Sequence, residues 1–338
     1  MKRTAVTLTV ALVALLGLMT NAPGQGGTTT TPQPKISADE KKLVDKITAA
    51  PDAATKLKAS GDLIKAHPKT AIRGQVVQQM ADEVTDVKDA TQKLALAQEL
   101  QTLFNDPADE EIVGPVVVDA YADANQLDQA FTKGADFLTR HPDSLRVLVT
   151  LLSVGTDQAK KQNPKYIDQA LKYGGQAIAL IEANKKPANF DEAAWTQFKT
   201  VTLPSMYQSV GLLHMLKGAN ADARANYTKA SQVAPADPFN FVMIAAIMNE
   251  EYQTAAKAYQ AMAAGPPKEA QLKKVEALLD TVIDAYAHAI ALAEGSVPLA
   301  DVRKQYLQDL ENYYKYRHKN STTGMQELID KYKPAPKP

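Results

Sequence analysis

The sequence predicts an all-α protein built from repeated helical hairpins, and three observations support this fold class. Over most of the chain, apolar residues recur at intervals of three and four, and the helix formers Ala, Leu, Lys, Gln and Glu dominate. Pro68, Pro107 and Pro142 stand at predicted helix ends, 39 and 35 residues apart, as in a repeat of about 30–40 residues. Residues 57–70 and 131–144 also align without a gap. Each repeat should therefore be one pair of antiparallel helices.

The start of the chain has the three-part layout of a secretory signal peptide. Lys2 and Arg3 precede about fifteen mostly apolar residues and then a small, turn-prone stretch. We expect residues 1–24 to be a signal peptide removed after Gly24, and residues 25–36, which lack apolar residues that could pack, to be a flexible linker. The alternative is an uncleaved amino-terminal anchor, although the apolar run is shorter than the ~20 residues that span a membrane as a helix.

The composition disfavours several classes of protein. The 338 residues include no cysteine, which excludes disulfides, thiolate metal sites and the lipid attachment of a bacterial lipoprotein. The chain has 38 basic and 38 acidic residues, so loss of Lys2 and Arg3 leaves a charge of about −2, which gives no basic field for nucleic acid. We expect a periplasmic or extracellular protein with no stable membrane insertion after signal cleavage.

The most regular spacing lies between residues 207 and 235. Its members are Tyr207, Val210, Gly211, His214, Ala223, Tyr227, Ala230 and Pro235. This spacing resembles the tetratricopeptide repeat (TPR), a helical hairpin of about 34 residues with the pattern W-x2-L-G-x2-Y, A-x3-F-x2-A and P, in which His214 replaces the usual Tyr. The resemblance implies a TPR-like α-solenoid of antiparallel helical hairpins, in which these eight residues pack neighbouring helices together. The carboxy-terminal end of the chain also resembles the ends of uncharacterised secreted bacterial TPR proteins.

The resemblance covers residues 37–267, with five to seven units. One unit needs an insertion around Asn163 and Pro164. The unit after Pro235 aligns through Phe241, Ala245, Ala255 and Tyr259, provided that its turn is two residues shorter.

Three further segments do not follow the repeat. Residues 185–203 are too long for a turn between repeats, and they predict an extra helix that runs up to Pro204. Residues 268–333 predict a C-terminal helical cap, because an array of repeats needs an end that is apolar inside and polar outside. Residues 334–338 form a short tail.

The sequence contains no recognisable catalytic or metal-binding motif. Its five histidines form no H-E-x-x-H helix, and the nucleophile motifs G-x-S-x-G and S-x-x-K are missing. We therefore expect no catalytic residue, no cofactor and no metal site. His67 and His141 occupy equivalent places in two repeats, which favours a role at helix ends, where a histidine interacts well with the helix dipole.

Two aromatic features admit a ligand-binding interpretation beside a packing one. Trp195, the only tryptophan, lies in the 185–203 insertion, where it either stacks on a ligand or packs against adjoining hairpins. The cluster in the cap either grips an anionic or sugar-bearing ligand or forms a capping helix with buried tyrosines and a basic last turn. Its members are Tyr313, Tyr314, Tyr316, Arg317, His318 and Lys319. In both cases the sequence favours packing.

The TPR resemblance places ligand contacts on a concave groove lined by the first helix of each unit. The candidate groove residues are Ser205, Gln208, Leu212, Met215, Phe239, Val242, Ala246 and Asn249. These side chains are apolar with a few amides, which suits an extended peptide or a partner helix. They lack the paired basic residues with which one TPR subset binds a carboxy-terminal carboxylate, so recognition of chaperone tails is disfavoured.

The sequence thus predicts a non-enzymatic, exported scaffold that binds another protein or peptide, in the assembly or maintenance of the cell envelope. The alternative is a secreted helical enzyme or small-ligand-binding protein that uses the 185–203 insertion or the tyrosine-rich cap. A continuous shallow groove favours the first, and a deep pocket with converging acids or histidines favours the second.

Overall fold

The computed structural model describes residues 35–188 and 190–334. The predicted signal peptide, nearly all of the predicted linker and residues 335–338 lie outside the described residues. The chain divides into two compact units, and the boundary falls between Trp195 and Thr196.

Helices are the regular elements throughout the described ranges, where no strand occurs, and this confirms the predicted all-α class. The α-helices of these ranges are α1 (Ala38–Ala49), α2 (Ala53–Ala66), α3 (Arg73–Thr85), α4 (Ala90–Leu103), α5 (Pro107–Asp123), α6 (Leu127–Arg140), α7 (Leu145–Lys160), α8 (Ile167–Glu182), α9 (Glu192–Leu216), α10 (Asn220–Val233), α11 (Pro238–Gln260), α12 (Pro266–Leu292), α13 (Ala300–Arg317) and α14 (Met325–Asp330).

The three prolines predicted to mark helix ends do so, and Pro235 and Pro266 also lie at helix ends. Pro107 and Pro266 are the first residues of α5 and α12, where the missing N–H would have no helical partner. Pro68, Pro142 and Pro235 each lie two residues after the last residue of α2, α6 and α10. The period read from these residues therefore reflects real helix boundaries.

Pro204, in contrast, does not end a helix. It lies inside α9, so the extra helix predicted over the insertion continues into the following hairpin. A proline inside a helix costs about 3 kcal/mol, because a backbone hydrogen bond is lost and the ring clashes with the preceding turn. Burial of side chains on both sides offsets this cost, since Phe198 is 2% exposed and Met206 is 3% exposed.

The unit predicted from Phe241, Ala245, Ala255 and Tyr259 is not a hairpin. All four residues lie in α11, a single helix of 23 residues. The sequence between Ala245 and Ala255 contains no Gly or Pro that would end a helix. The hairpin partner of α11 is α12, with which it packs extensively. The first helix of the predicted C-terminal cap therefore belongs to this last hairpin.

In the first unit, successive helices pair as hairpins: α1 with α2, α3 with α4, α5 with α6, and α7 with α8. Short connections between packed neighbours make the two helices of each pair antiparallel. The first helices of consecutive hairpins also pack side by side, α3 on α5 and α5 on α7, while α2 packs on α4. This two-row stacking is the arrangement of an α-solenoid.

In the second unit, α10 packs on α11, α11 on α12, and both α13 and α14 on α12. Gly211 of α9 lies against the ring of Tyr227 on α10, and a Cβ atom added there would be 3.0 Å from that ring. Tyr306 of α13 donates a hydrogen bond from its hydroxyl to the Val242 carbonyl oxygen of α11 at 2.9 Å. The second unit is therefore a short stack of helices closed by α13.

Candidate protein-interaction surfaces

The residues that the TPR pattern assigns to packing lie mostly inside the second unit. Buried members are Tyr207, Val210, Gly211, Ala223, Tyr227 and Ala230. His214 is half-buried, with its Nδ1 3.9 Å from an Asp222 carboxylate oxygen, and Pro235 is exposed.

The predicted groove residues of α9 have different surroundings. Gln208 is only 8% exposed, and its Nε2 donates to Asp237 Oδ2 at 2.7 Å and to Asn240 Oδ1 at 2.9 Å. Met215 packs partly against the apolar cluster around Tyr227, whereas Ser205 and Leu212 are half-buried. Gln208 thus joins α9 to the start of α11 and does not line an open groove, which corrects its assignment from the sequence.

The predicted groove residues of α11 are largely covered. Val242 is 2% exposed beneath Tyr306, and Phe239 meets the Tyr227 ring edge-on, with centroids 6.1 Å apart. Asn249 Oδ1 accepts a hydrogen bond from the Tyr313 hydroxyl at 2.9 Å. Val242 is therefore an interior residue, because α13 covers this stretch of α11. Ala246, half-buried, keeps part of its surface accessible.

The first unit holds an open surface that none of the candidate groove residues lines. A trough of 750 Å³ runs along α3, and we call it the α3 trough. It is lined by Gly74, Gln75, Gln78, Gln79, Asp82, Glu83, Asp86 and Ile112. Its length follows one helix, so it suits an elongated partner better than a compact one.

Charge in the α3 trough has one sign. Three lining residues are carboxylates, and none is Lys or Arg. Lys56 of α2 forms an ion pair with Glu83 at the edge, and Gln78 Nε2 donates to Asp82 Oδ1 at 2.9 Å. The acids lie toward the carboxy-terminal end of α3, where the helix dipole is also negative. This end of the trough should attract cationic groups.

The sequence does carry a signal for the α3 trough, namely glutamines and acids at helical spacing along "GQVVQQMADEVTD". Apolar residues alternate with them and are buried, for example Val77 and Met80. A polar stripe on a surface helix usually faces water and binds no partner, so the stripe alone does not indicate a binding site.

Trp195 is a packing residue. Its side chain is fully buried, its Nε1 donates to Asn184 Oδ1 at 2.8 Å, and the Phe190 ring meets it edge-on. A ring without an exposed face cannot stack on a ligand from solvent, so the packing interpretation holds.

The tyrosine cluster of the cap is also mainly packing. Tyr286 of α12 stacks between Tyr306 and Tyr313 of α13, with centroids 4.4 Å and 6.1 Å away. Burial raises the pKa of Tyr286 and of Tyr306 well above the ordinary tyrosine value. Arg317 pairs with Asp280 on α12, and Tyr316 is exposed.

His67 and His141 are the C-terminal capping residues of α2 and α6, as their matching places in two repeats predict. The His141 Nε2 lies 3.5 Å from Glu110 Oε2, and its ring stacks on Phe137. The part of the chain that the structure describes contains no group of His, Asp and Glu able to hold a metal ion. In the same part, no helix is both long enough and apolar enough to span a membrane.

Comparison with known proteins gives one kind of similarity. No protein-family model matches the chain, and no curated protein sequence matches it. Among solved structures, a tetratricopeptide repeat protein from Parabacteroides merdae is similar over 87% of this chain and 98% of its own, with a TM-score of 0.40 and 10% sequence identity.

Proposed function

We propose that this chain is a non-enzymatic, exported scaffold that binds another protein along the first helices of its hairpins, in the assembly or maintenance of the cell envelope. The observation that carries the proposal is the α3 trough, an open, polar surface along one helix of a hairpin stack. Stacked hairpins hold such helices side by side, which gives a partner a rigid surface without any catalytic group.

The chemistry of the α3 trough indicates the kind of partner. Glutamine side chains can donate and accept at once, so they pair well with exposed polypeptide backbone. The carboxylates at the other end favour Lys or Arg on the partner. An elongated, basic segment of a protein is therefore the expected ligand of this surface.

The export part of the proposal rests on the sequence of residues 1–24. Its basic start, short apolar run and small residues are typical of a secretory signal peptide. The lack of cysteine argues for an unlipidated mature protein. Immunoblotting of periplasmic, membrane and culture fractions checks this part, and a protein retained at full length in the cytoplasm would contradict it.

The scaffold proposal is tested by crosslinking capture from envelope extract. Gln75→Arg with Gln79→Arg introduces two cations into the α3 trough at exposed positions. We expect this double variant to lose a partner that the wild-type chain captures, because the new charges repel a basic segment and fill the surface. Quantitative mass spectrometry of the crosslinked material measures the loss.

The matched control is Gln92→Arg with Gln101→Arg on exposed positions of the neighbouring helix α4. It makes the same change of residue type and charge outside the α3 trough. Equal capture by the two double variants, both with wild-type circular dichroism, would refute the assignment of the trough as the working surface.

A further inference from the structure

The second unit has an open cleft that the proposed function does not use. α10 and α12 each pack on α11, and a cleft of 590 Å³ opens between them. Phe241, Ile244 and Met248 of α11 form its floor. At roughly 100° per residue, their mean direction around α11 is about 150° from that of Phe239, Val242, Ala246 and Asn249, so they face away from most of the predicted groove.

The floor of this α10–α12 cleft is apolar and only half covered. Phe241, Ile244 and Met248 follow the spacing i, i+3 and i+7, which makes a stripe about 10 Å long on one helix face. All three are half-buried, so part of each side chain stays in contact with water. An apolar side chain placed on this stripe would gain from leaving water.

One wall of the α10–α12 cleft is acidic. Asp280, Asp284 and His288 are four residues apart on α12 and point to the same side of that helix. The ten residues that line the cleft include two carboxylates and no Lys or Arg. Both aspartate side chains are 52% exposed. A cation on an incoming group would therefore find two acceptors one helical turn apart.

Both carboxylates are held in place from outside the cleft. Arg317 of α13 donates from Nε to Asp280 Oδ1 at 2.7 Å and from Nη2 to Oδ2 at 2.8 Å. The Tyr332 hydroxyl donates to Asp284 Oδ1 at 2.6 Å, and Lys331 Nζ lies 3.9 Å from the same oxygen. An ionised carboxylate has about four lone-pair sites, so each can accept a further hydrogen bond without losing its present one.

A stack of three rings closes one end of the cleft. The His288 ring lies 4.0 Å from the Phe241 ring and 4.2 Å from the Tyr332 ring, centroid to centroid. Burial lowers the pKa of His288, so the imidazole is neutral at pH 7 and adds no positive charge beside the aspartates.

We propose that the α10–α12 cleft docks a short segment of a partner protein, which places one large apolar side chain on the α11 floor and a Lys or Arg beside Asp280 and Asp284. The cleft is open along its length, whereas small-molecule sites bury about 70–90% of their ligand, so a protein segment fits it better than a free amine. This docking site is additional to the scaffold surface proposed above and does not depend on it.

The test is selection of a random twelve-residue peptide library, displayed on phage, against the immobilised full chain. The enriched peptides are then measured by fluorescence anisotropy. We expect one class to combine Lys or Arg with Leu, Phe or Met within a few positions. For this class, Ala285→Arg should weaken binding by about tenfold or more, because the new guanidinium occupies the cleft and pairs with its carboxylates.

Ala277→Arg is the matched control, since it adds the same side chain at an exposed position of α12 outside the cleft, and it should change binding by less than about twofold. Thr281→Arg, at an exposed position within the cleft, replaces Ala285→Arg if that variant loses helical circular dichroism. The proposal is overturned if neither cleft variant weakens the binding of any enriched peptide, or if peptides without Lys or Arg bind equally well. It is also overturned if hexylamine displaces the peptide at a concentration equal to that of the peptide. Peptides that respond only to Gln75→Arg with Gln79→Arg would support the scaffold surface and reject this docking site.

Discussion

At the scale of single residues, the closest contacts between helices occur at glycines, which have no side chain. Gly155 of α7 lies so near α8 that a Cβ atom built on it would be 2.4 Å from the Ala170 Cβ. Real Cβ atoms do not approach this closely, so one helix would have to move. We expect Gly155→Ala to destabilise the first unit by about 1–3 kcal/mol, because overpacking outweighs the ~1 kcal/mol gain in helix propensity. The midpoint of urea unfolding measures this effect.

Gly175 of α8 is the matched control in the same hairpin, because a Cβ atom built there meets nothing within 4 Å. Gly175→Ala gains helix propensity without a clash, so it should raise the urea midpoint. The free energy of unfolding should increase by up to about 1 kcal/mol. If Gly155→Ala and Gly175→Ala both raised the urea midpoint, the contact between α7 and α8 would be looser than in the structure.

At the scale of helices, one buried ion pair ties α3 to α5. Arg73 donates to Asp109 Oδ2 from Nε at 3.1 Å and from Nη2 at 2.6 Å, and the Asp109 side chain is 4% exposed. The hydrogen bonds that Arg73 donates to Asp109 raise the pKa of Arg73. Arg73→Leu should destabilise the first unit by about 3–5 kcal/mol, because it leaves a buried carboxylate without its cation. Urea unfolding followed by circular dichroism provides the measurement.

The comparison variant is Arg140→Leu, which breaks the pair between Arg140 and Glu110. Arg140 has a side chain 56% exposed, so water screens this pair and its loss should cost about 0–1 kcal/mol. If Arg73→Leu cost no more than Arg140→Leu, burial would add nothing to the stabilising effect of the pair between α3 and α5.

At the scale of the whole molecule, we expect the second unit to respond to acid through a half-buried group of its own, His288. Burial holds the pKa of His288 below its ordinary value, although Asp284 acts in the opposite direction and Lys331 in the same one. The unfolded chain then binds this proton more tightly than the folded chain, so stability present above pH ~6.5 is lost as pH falls through that value. Lowering pH from 7.5 to 5.5 should reduce the urea midpoint of the second unit.

His288→Phe keeps a ring between Phe241 and Tyr332 but removes the titration, so it should abolish most of this decrease. Far-UV circular dichroism at both pH values measures it. The transition followed by the fluorescence of Trp195, whose contacts with Asn184 and Phe190 lie in the first unit, should change less. An equal decrease for wild type and His288→Phe would show that another group controls the acid response.

The sequence alone determined the fold class of this protein and the helix ends that prolines mark. Helical periodicity and the spacing of Pro68, Pro107 and Pro142 predict hairpins of the observed kind, because both reflect local backbone preferences. The end roles of His67 and His141 follow from the same local similarity. The burial of Trp195 was favoured on the general behaviour of large aromatic side chains.

Only the tertiary structure decided where these local rules fail and which surfaces stay open. Pro204 sits inside α9 because burial on both sides offsets the lost hydrogen bond. Gln208 and Val242 became interior residues because neighbouring helices cover them, which a pattern taken from two repeats does not contain. The α3 trough and the α10–α12 cleft arise from spaces between helices. Such spaces depend on how distant segments pack, whereas a sequence pattern reports the faces of one helix at a time.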